Sequence, residues 1–466
     1  MSATALHQLD ASALQALYRR GEVSPLDVTR AVLEHIAAWE PHLHATYALS
    51  ATAALAQAEA SEKRWRDGVV LGPLAGVPAM IKENIATRGV AMPLGSAATE
   101  QRAAEHDAPP AARLREAGAV ILGKTTMPDY GMLSSGLSSF HGVTRNPWDL
   151  SRGPGGSSAG AGAGAAAGYG PLHVGTDIGG SVRLPAAWCG IFALKPSLGR
   201  IPIDPPYAGR AAGPMTRTVD DAALMMAALS QPDVRDTMSL PHQPIAWHQL
   251  ERDLGGLKIG LLRDAGWGLA VDLEVRDAVD AAARAFEAAG AQVEPIGPFM
   301  TRAMADGMDN FWRMRSWLDI AALPEERRAQ VLPFIVEWAR GAAGLSGAEV
   351  FDGYSQMGAM RQAAVAACQR FDVVLSPTAP IAAFDAEWPC PTNDAARPFE
   401  HIAFTLPYNM SEQPAASINC GYTSTGLPIG LQIAGRRFDD LGVLQVARAW
   451  ERLRPAQRPW PAPPTG

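Results

Sequence analysis

Gly153-Pro154-Gly155-Gly156-Ser157-Ser158-Ala159-Gly160 continues through Gly162, Gly164 and Gly168 to Gly175-Thr176-Asp177-Ile178-Gly179-Gly180-Ser181-Val182-Arg183. Several chemistries compete for this stretch. Gly162, Gly164 and Ala167 satisfy a loose dinucleotide fingerprint, but that motif follows an apolar strand, and residues 145–152 are polar. No phosphate-loop lysine follows the glycines. Gly156-Ser157-Ser158-Ala159-Gly160 also fits the G-x-S-x-G elbow of α/β-hydrolases, with Ser158 as nucleophile and His242, His248 and His401 downstream. The same missing strand counts against it. A small-residue helix packed closely on its neighbours accounts for the alanines and glycines but leaves the two serine clusters unexplained.

A further reading joins both serine clusters to a lysine. The chain has few lysines, Lys63, Lys82, Lys124, Lys195 and Lys258, and Lys82 follows the apolar run Val77-Pro78-Ala79-Met80-Ile81 instead of lying in a charged surface segment. Ser157, Ser181 and Lys82 are far apart in the chain and can meet only through the fold.

Around this segment the pattern is α/β. Ser24-Pro25-Leu26-Asp27 supplies a capping hydroxyl, a proline at the first helical position and a first-turn acid before Val28, Val32 and Ile36. An alanine-rich helix is expected over 45–67. Helix-then-strand units recur at 111–122 and 273–294, each passing through a glycine, as crossovers on a parallel sheet do. Apolar runs at 257–262, 371–375 and 429–433 read as buried strands. The polar stretch 231–253 is a linker or a long surface connection.

The 466 residues are 47% hydrophobic and 19% charged with 45 glycines and 37 prolines, which excludes disorder, coiled coil and helical repeat. A formal net charge of −7 without a basic run argues against nucleic acid as the main partner. Cys189, Cys368, Cys390 and Cys420 are dispersed and read as buried free thiols. No secretory signal and no apolar membrane span is legible, so a cytoplasmic location and no membrane partner are expected. His42 and His44 lack further ligands for a zinc site.

The three segments Ile81-Lys82-Glu83-Asn84-Ile85, Gly155-Gly156-Ser157-Ser158 and Gly175 to Arg183 together resemble the hallmarks of the amidase signature family. The similarity continues through Cys189-Gly190-Ile191-Phe192-Ala193-Leu194-Lys195-Pro196 and Gly426 to Gly435, in order over roughly residues 24 to 450, and is specific when the motifs are taken jointly. Ala159 departs from the glycine common in that family. The resemblance implies an amidase-signature fold, a large mixed and mostly parallel sheet enclosed by helices. One domain over 1–466 is expected: N-terminal helices over about 1–70, a catalytic core over about 71–230, and remaining core and pocket loops over about 257–455.

It further implies amide C–N hydrolysis through a triad that maps onto Ser181 as nucleophile, Ser157, preceded by a cis peptide bond, as proton relay, and Lys82 as base. The amides of Ile178, Gly179, Gly180 and Ser181 form the implied oxyanion hole. Asp177 and Arg183 are expected to brace that loop and Ser158 to donate a hydrogen bond behind it. Neither metal nor cofactor is implied. Loops rich in aromatics and methionine suggest an aryl or alkyl amide pocket, with carbamate and ester cleavage chemically open. Tyr130, Gly131, Met132, Tyr207 and Arg210 are the substrate-binding candidates, and Phe140, residues 311–317 and Tyr408-Asn409-Met410 are further linings or core. The expected partner is a small-molecule amide or carbamate, with a homodimer open. The alternative within the family is the glutamine-hydrolysing subunit of a tRNA-dependent amidotransferase. Ile402 argues against it, standing where that subunit would place an acidic contact.

Overall fold

The computed structural model describes residues 5–464. The helix Pro25–Leu43 begins at the expected capping box: Ser24 Oγ accepts the Asp27 N–H and the Asp27 carboxylate accepts the Ser24 N–H. Val28, Val32, Ile36 and Trp39 are its buried face. The next helix is shorter than the expected 45–67. It spans Ala51–Arg66 because Ser50 caps it, and Thr46–Tyr47 is a strand instead.

Among the described residues the strands are β1 (Thr46–Tyr47), β2 (Pro78–Lys82), β3 (Val120–Thr125), β4 (Leu137–Ser138), β5 (Gly142–Val143), β6 (Leu172–Asp177) and β7 (Phe192–Lys195). They continue with β8 (Ala211–Thr216), β9 (Lys258–Leu262), β10 (Gln292–Ile296), β11 (Val373–Pro377), β12 (Ala415–Tyr422) and β13 (Pro428–Gly435). Eleven of them form one mixed sheet in the order β1-β3-β2-β6-β8-β7-β12-β13-β11-β9-β10, and β4 pairs with β5 apart from it. Parallel pairing joins β3, β2 and β6 on one side and β11, β9 and β10 on the other, where the two crossover units lie. The strands between these blocks, and the edge strand β1, pair antiparallel. Helices cover the sheet, as the fold class requires.

Residues 231–253 contain neither helix nor strand, yet Trp247 and Leu250 pack into the main core, so this stretch is a connection held down along its length. Between β10 and β11 four helices, Arg302–Ala321, Glu325–Arg328, Pro333–Arg340 and Gly347–Cys368, are inserted. They share a second apolar cluster around Met308, Trp312, Ile335, Trp338 and Met360. No helix of the described residues is long and apolar enough to cross a membrane, and all four cysteines are buried and free.

The glycine-alanine segment is the helix Ala159–Ala167, every residue of which is buried. The close-packing reading is therefore correct as far as it goes. A Cβ on Gly160 would lie 2.1 Å from the Ala45 carbonyl oxygen and 2.5 Å from the Thr126 nitrogen, both backbone atoms that cannot swing aside. This contact seats the helix start, and Ser157 and Ser158 immediately before it. Gly160→Ala is expected to lower stability in urea unfolding by about 1–3 kcal/mol through overpacking. Gly358→Ala, on an exposed helix face with open space around it, is expected to raise stability by up to ~1 kcal/mol.

Candidate active site

Strands β2 and β6 are parallel neighbours with Ile81 opposite Val174, so their carboxyl ends open side by side. Ligands bind at such ends in parallel sheets. Lys82, the last residue of β2, is fully buried; its Nζ donates to Ser157 Oγ at 2.8 Å and to Thr176 Oγ1 at 3.0 Å. Thr176 Oγ1 also accepts from Asn84 Nδ2 at 3.0 Å. No carboxylate forms an ion pair with Lys82 among the described residues. Burial therefore pulls its pKa down to about 7, against the opposing pull of Asp177 and Glu83. An ordinary lysine would be neutral in about one molecule in a thousand near pH 7.4, and the lowered pKa makes the neutral amine of Lys82 far more available than that.

Ser157 follows a cis peptide bond from Gly156. Gly131, at φ 69°, lies against it: a Cβ there would stand 3.3 Å from Ser157 Oγ. Ser158 is fully buried, donating from Oγ to the Thr176 carbonyl at 3.2 Å and accepting the Thr176 N–H at 3.3 Å. It clamps β6 to the start of the glycine helix and is closed to a substrate, which removes the elbow reading. No strand precedes it. Its backbone N–H donates to the Ser181 carbonyl at 3.2 Å, bringing the two serine segments together. Ser181 is half-buried and borders an open cleft.

The loop carrying Ser181 is folded around a carboxylate. Asp177 Oδ1 accepts the Gly180 N–H at 2.8 Å and Oδ2 accepts the Val182 N–H at 3.1 Å. Of the four amides expected to form the oxyanion hole, one is thereby already engaged. Gly180 spends its N–H on Asp177 and so shapes the loop, leaving the amides of Ile178, Gly179 and Ser181 without a partner among the described residues. Arg183 meets Asp177 through two bonds, Nε to Oδ2 at 3.0 Å and Nη2 to Oδ1 at 2.9 Å. It then reaches the Thr405 carbonyl, Asn409 Oδ1 and Gln432 Oε1. Burial pushes the Asp177 carboxyl up, but Arg183 and Asn409 outweigh it and hold the group well below the usual carboxylate range. Asp177 and Arg183 thus form a buried, multiply bonded pair at the base of the loop.

The cleft beside Ser181 is narrow, with a cavity volume of about 40 Å³, and is walled by Met132, Leu133, Ile178, Trp312, Phe399 and Ile402, with Gly131 and Arg315 also on its border. Of the expected pocket residues, Gly131 and Met132 border it. Tyr130 and Arg210 line an adjoining cavity that shares Met132 and Arg315 with the cleft. Tyr207 borders neither and lies against the guanidinium groups of Arg210 and Arg315. Phe140 instead packs edge-on against Tyr47. Tyr408 is fully buried, and Asn409 serves the Asp177–Arg183 pair. Thr176, Asn84 and Phe399 escape sequence reasoning. A hydroxyl at the end of a strand parallel to that of Lys82 is the one available signal for Thr176.

The Amidase family profile matches residues 27–444. Two curated relatives are glutamyl-tRNA(Gln) amidotransferase subunits, one from Halorhodospira halophila, 34% identical over 96% of this chain and 98% of its own length, and one from Roseiflexus sp., 35% identical over 97% of each. Among solved structures, a bacterial aryl acylamidase of the amidase signature family superposes with a TM-score of 0.88 at 30% identity, covering 96% of both chains. The peptide amidase of Stenotrophomonas maltophilia superposes with a TM-score of 0.83 at 28% identity over 98% of this chain and 99% of its own. With the motif segments in order along the chain and whole-length likeness in sequence and fold, this protein belongs to the amidase signature family of amide C–N hydrolases.

Proposed function

We propose that this enzyme is a free-standing amide hydrolase that takes a largely apolar group beside the scissile bond, with Ser181 as nucleophile, Ser157 as relay and Lys82 as base. A hydroxyl needs a base to attack, and a hydroxyl between base and nucleophile can accept one proton while giving another. The Ser157 proton passes to neutral Lys82 as the Ser181 proton passes to Ser157, and Ser181 Oγ bonds to the carbonyl carbon. The unpartnered Ile178, Gly179 and Ser181 amides are the donors this reading assigns to the developing oxyanion, each such donor being worth about 3 kcal/mol. Ser157 then gives one proton to the leaving nitrogen as Lys82 returns one to Ser157, and the C–N bond breaks; water, losing a proton to the same relay, attacks the acyl group, and that proton returns to Ser181 Oγ as the acid leaves. The products are a carboxylic acid and an amine or ammonia, and the same steps would open a carbamate.

The observation that carries the substrate reading is the wall of Met132, Leu133, Ile178, Trp312, Phe399 and Ile402. A second reading, glutamine hydrolysis within an amidotransferase, draws its support from the whole-length similarity to the amidotransferase subunits of the two bacteria. It would bring partner proteins and a tRNA with it. Glutamine also carries an ammonium, and the cleft border holds no carboxylate among the described residues to meet it, Ile402 standing in the wall.

Because Lys82 acts only when neutral, kcat/KM is expected to rise with pH through about 7 and then level off, and Lys82→Ala is expected to lose at least 100-fold across the range. A flat wild-type profile, or full activity in Lys82→Ala, would reject the lysine as base. Across 4-nitroanilides of short and branched acids, aryl carbamates and glutamine, anilide or carbamate turnover is the expected result; turnover of glutamine alone would establish the second reading.

A further inference from the structure

The adjoining cavity is chemically unlike the cleft. It has a volume of about 260 Å³ and is lined by Asn84, Tyr130, Asp204, Arg210, Arg315 and Asp319 among others. Arg315 is half-buried and takes part in no hydrogen bond or ion pair among the described residues; its guanidinium carbon lies 4.7 Å from the Tyr207 ring centre. Arg210, also half-buried, lies 5.7 Å from the same ring and donates only to the Pro205 carbonyl. The Tyr207 hydroxyl is buried without a partner. Two guanidinium groups therefore share one aromatic ring with no counter-ion within 4 Å among the described residues, and one of them, Arg315, borders the cleft that holds Ser181.

Burial and then the charge of Arg315 lower the pKa of Arg210, so the two cations feel each other. The carboxylates on the cavity border do not relieve them. Asp319 is exposed, and Asp204 lies 3.7 Å from the His106 ring and forms no ion pair with either guanidinium. Guanidinium forks fit a carboxylate in bidentate geometry, and such charge-assisted bonds are strong where water is partly excluded.

We propose that the preferred substrates are amides or carbamates carrying a carboxylate on the part of the molecule that extends past Met132, where Arg210 and Arg315 hold it. The inference rests on hydrolysis at Ser181 and specifies its substrate class: an apolar segment beside the scissile bond and an anionic end. Arg315 belongs to both cavities and so links the two recognition elements.

Two matched sets of substrates test it. One comprises the 4-nitroanilides of glutaric acid, its monomethyl ester and pentanoic acid, and the other the butyryl amides of 4-aminobenzoate and its methyl ester. In at least one set the carboxylate is expected to have the higher kcat/KM by about 10- to 100-fold, mainly through KM. In Arg315→Gln and Arg210→Gln that preference ratio is expected to fall toward one, and in Arg315→Lys to be partly kept. Thermal melting identifies any variant that misfolds, and the wild-type ratios stand by themselves in that case. Equal or better turnover of the neutral members in both sets would overturn the proposal while leaving amide hydrolysis intact. Turnover of no member, with Ser181→Ala indistinguishable from wild type on every amide offered, would overturn the hydrolase reading and this inference together.

Discussion

The buried pair of Asp177 and Arg183 is the constraint on which the site depends. Its two carboxylate oxygens take the Gly180 and Val182 amides, fixing the turn that presents Ser181. Its guanidinium ties that turn to Thr405, Asn409 and Gln432, which come from a short helix and a strand far along the chain. Two desolvated ions persist only when nearly every polar atom is satisfied, and removing one partner from such a pair commonly destabilises by about 3–5 kcal/mol. The contacts here meet that demand. The loop is held by fixed hydrogen bonds before substrate arrives, which is the preorganisation that electrostatic catalysis requires.

Lys82 follows the opposite principle. Asp177 is kept charged by partners, whereas Lys82 is kept near neutrality by the want of them: only hydroxyl oxygens meet its Nζ. Relative to water, a charged ammonium at that position is disfavoured by an amount on the order of 5 kcal/mol. A low-dielectric floor beneath the sheet ends thus produces a base, and a neighbouring saturated ion pair produces a rigid frame. Both arise from the same burial and differ only in what surrounds each charge.

The local parts of this design are legible in the sequence. The Ser24 capping box, the Leu273–Ala288 crossover and the strand that delivers Lys82 follow from spacing and capping chemistry that act within a few residues. The alanine run from 45 misleads because β1 competes for Thr46 and Tyr47 by pairing with β3, a partner distant in sequence. The same limit applies at the site. Glycines and serines in order identify the loop, but that the Gly180 amide is consumed by Asp177 is a property of the turn's closure. Thr176 carries no local mark of its bond to Lys82, nor Asn84 of its bond to Thr176, since both depend on the registry of two strands. Tyr207 has the aromatic character of a pocket lining, and only the packing shows it wedged against two arginines.

The four-helix insert between β10 and β11 has a consequence for how this protein can change. It supplies Trp312 and Arg315 to the pocket but none of the atoms that bond to Lys82, Ser157 or Asp177. Its apolar cluster also takes in residues of the catalytic core, among them Leu133, Leu184, Trp188 and Ile402. Residues there can drift, shrink or swap sign while the proton path stays as it is, so new substrates are within reach of a few substitutions on a helix face that borders the cleft without bonding to the reacting groups. Diversification of the pocket and preservation of the reaction are thereby assigned to separate stretches of chain.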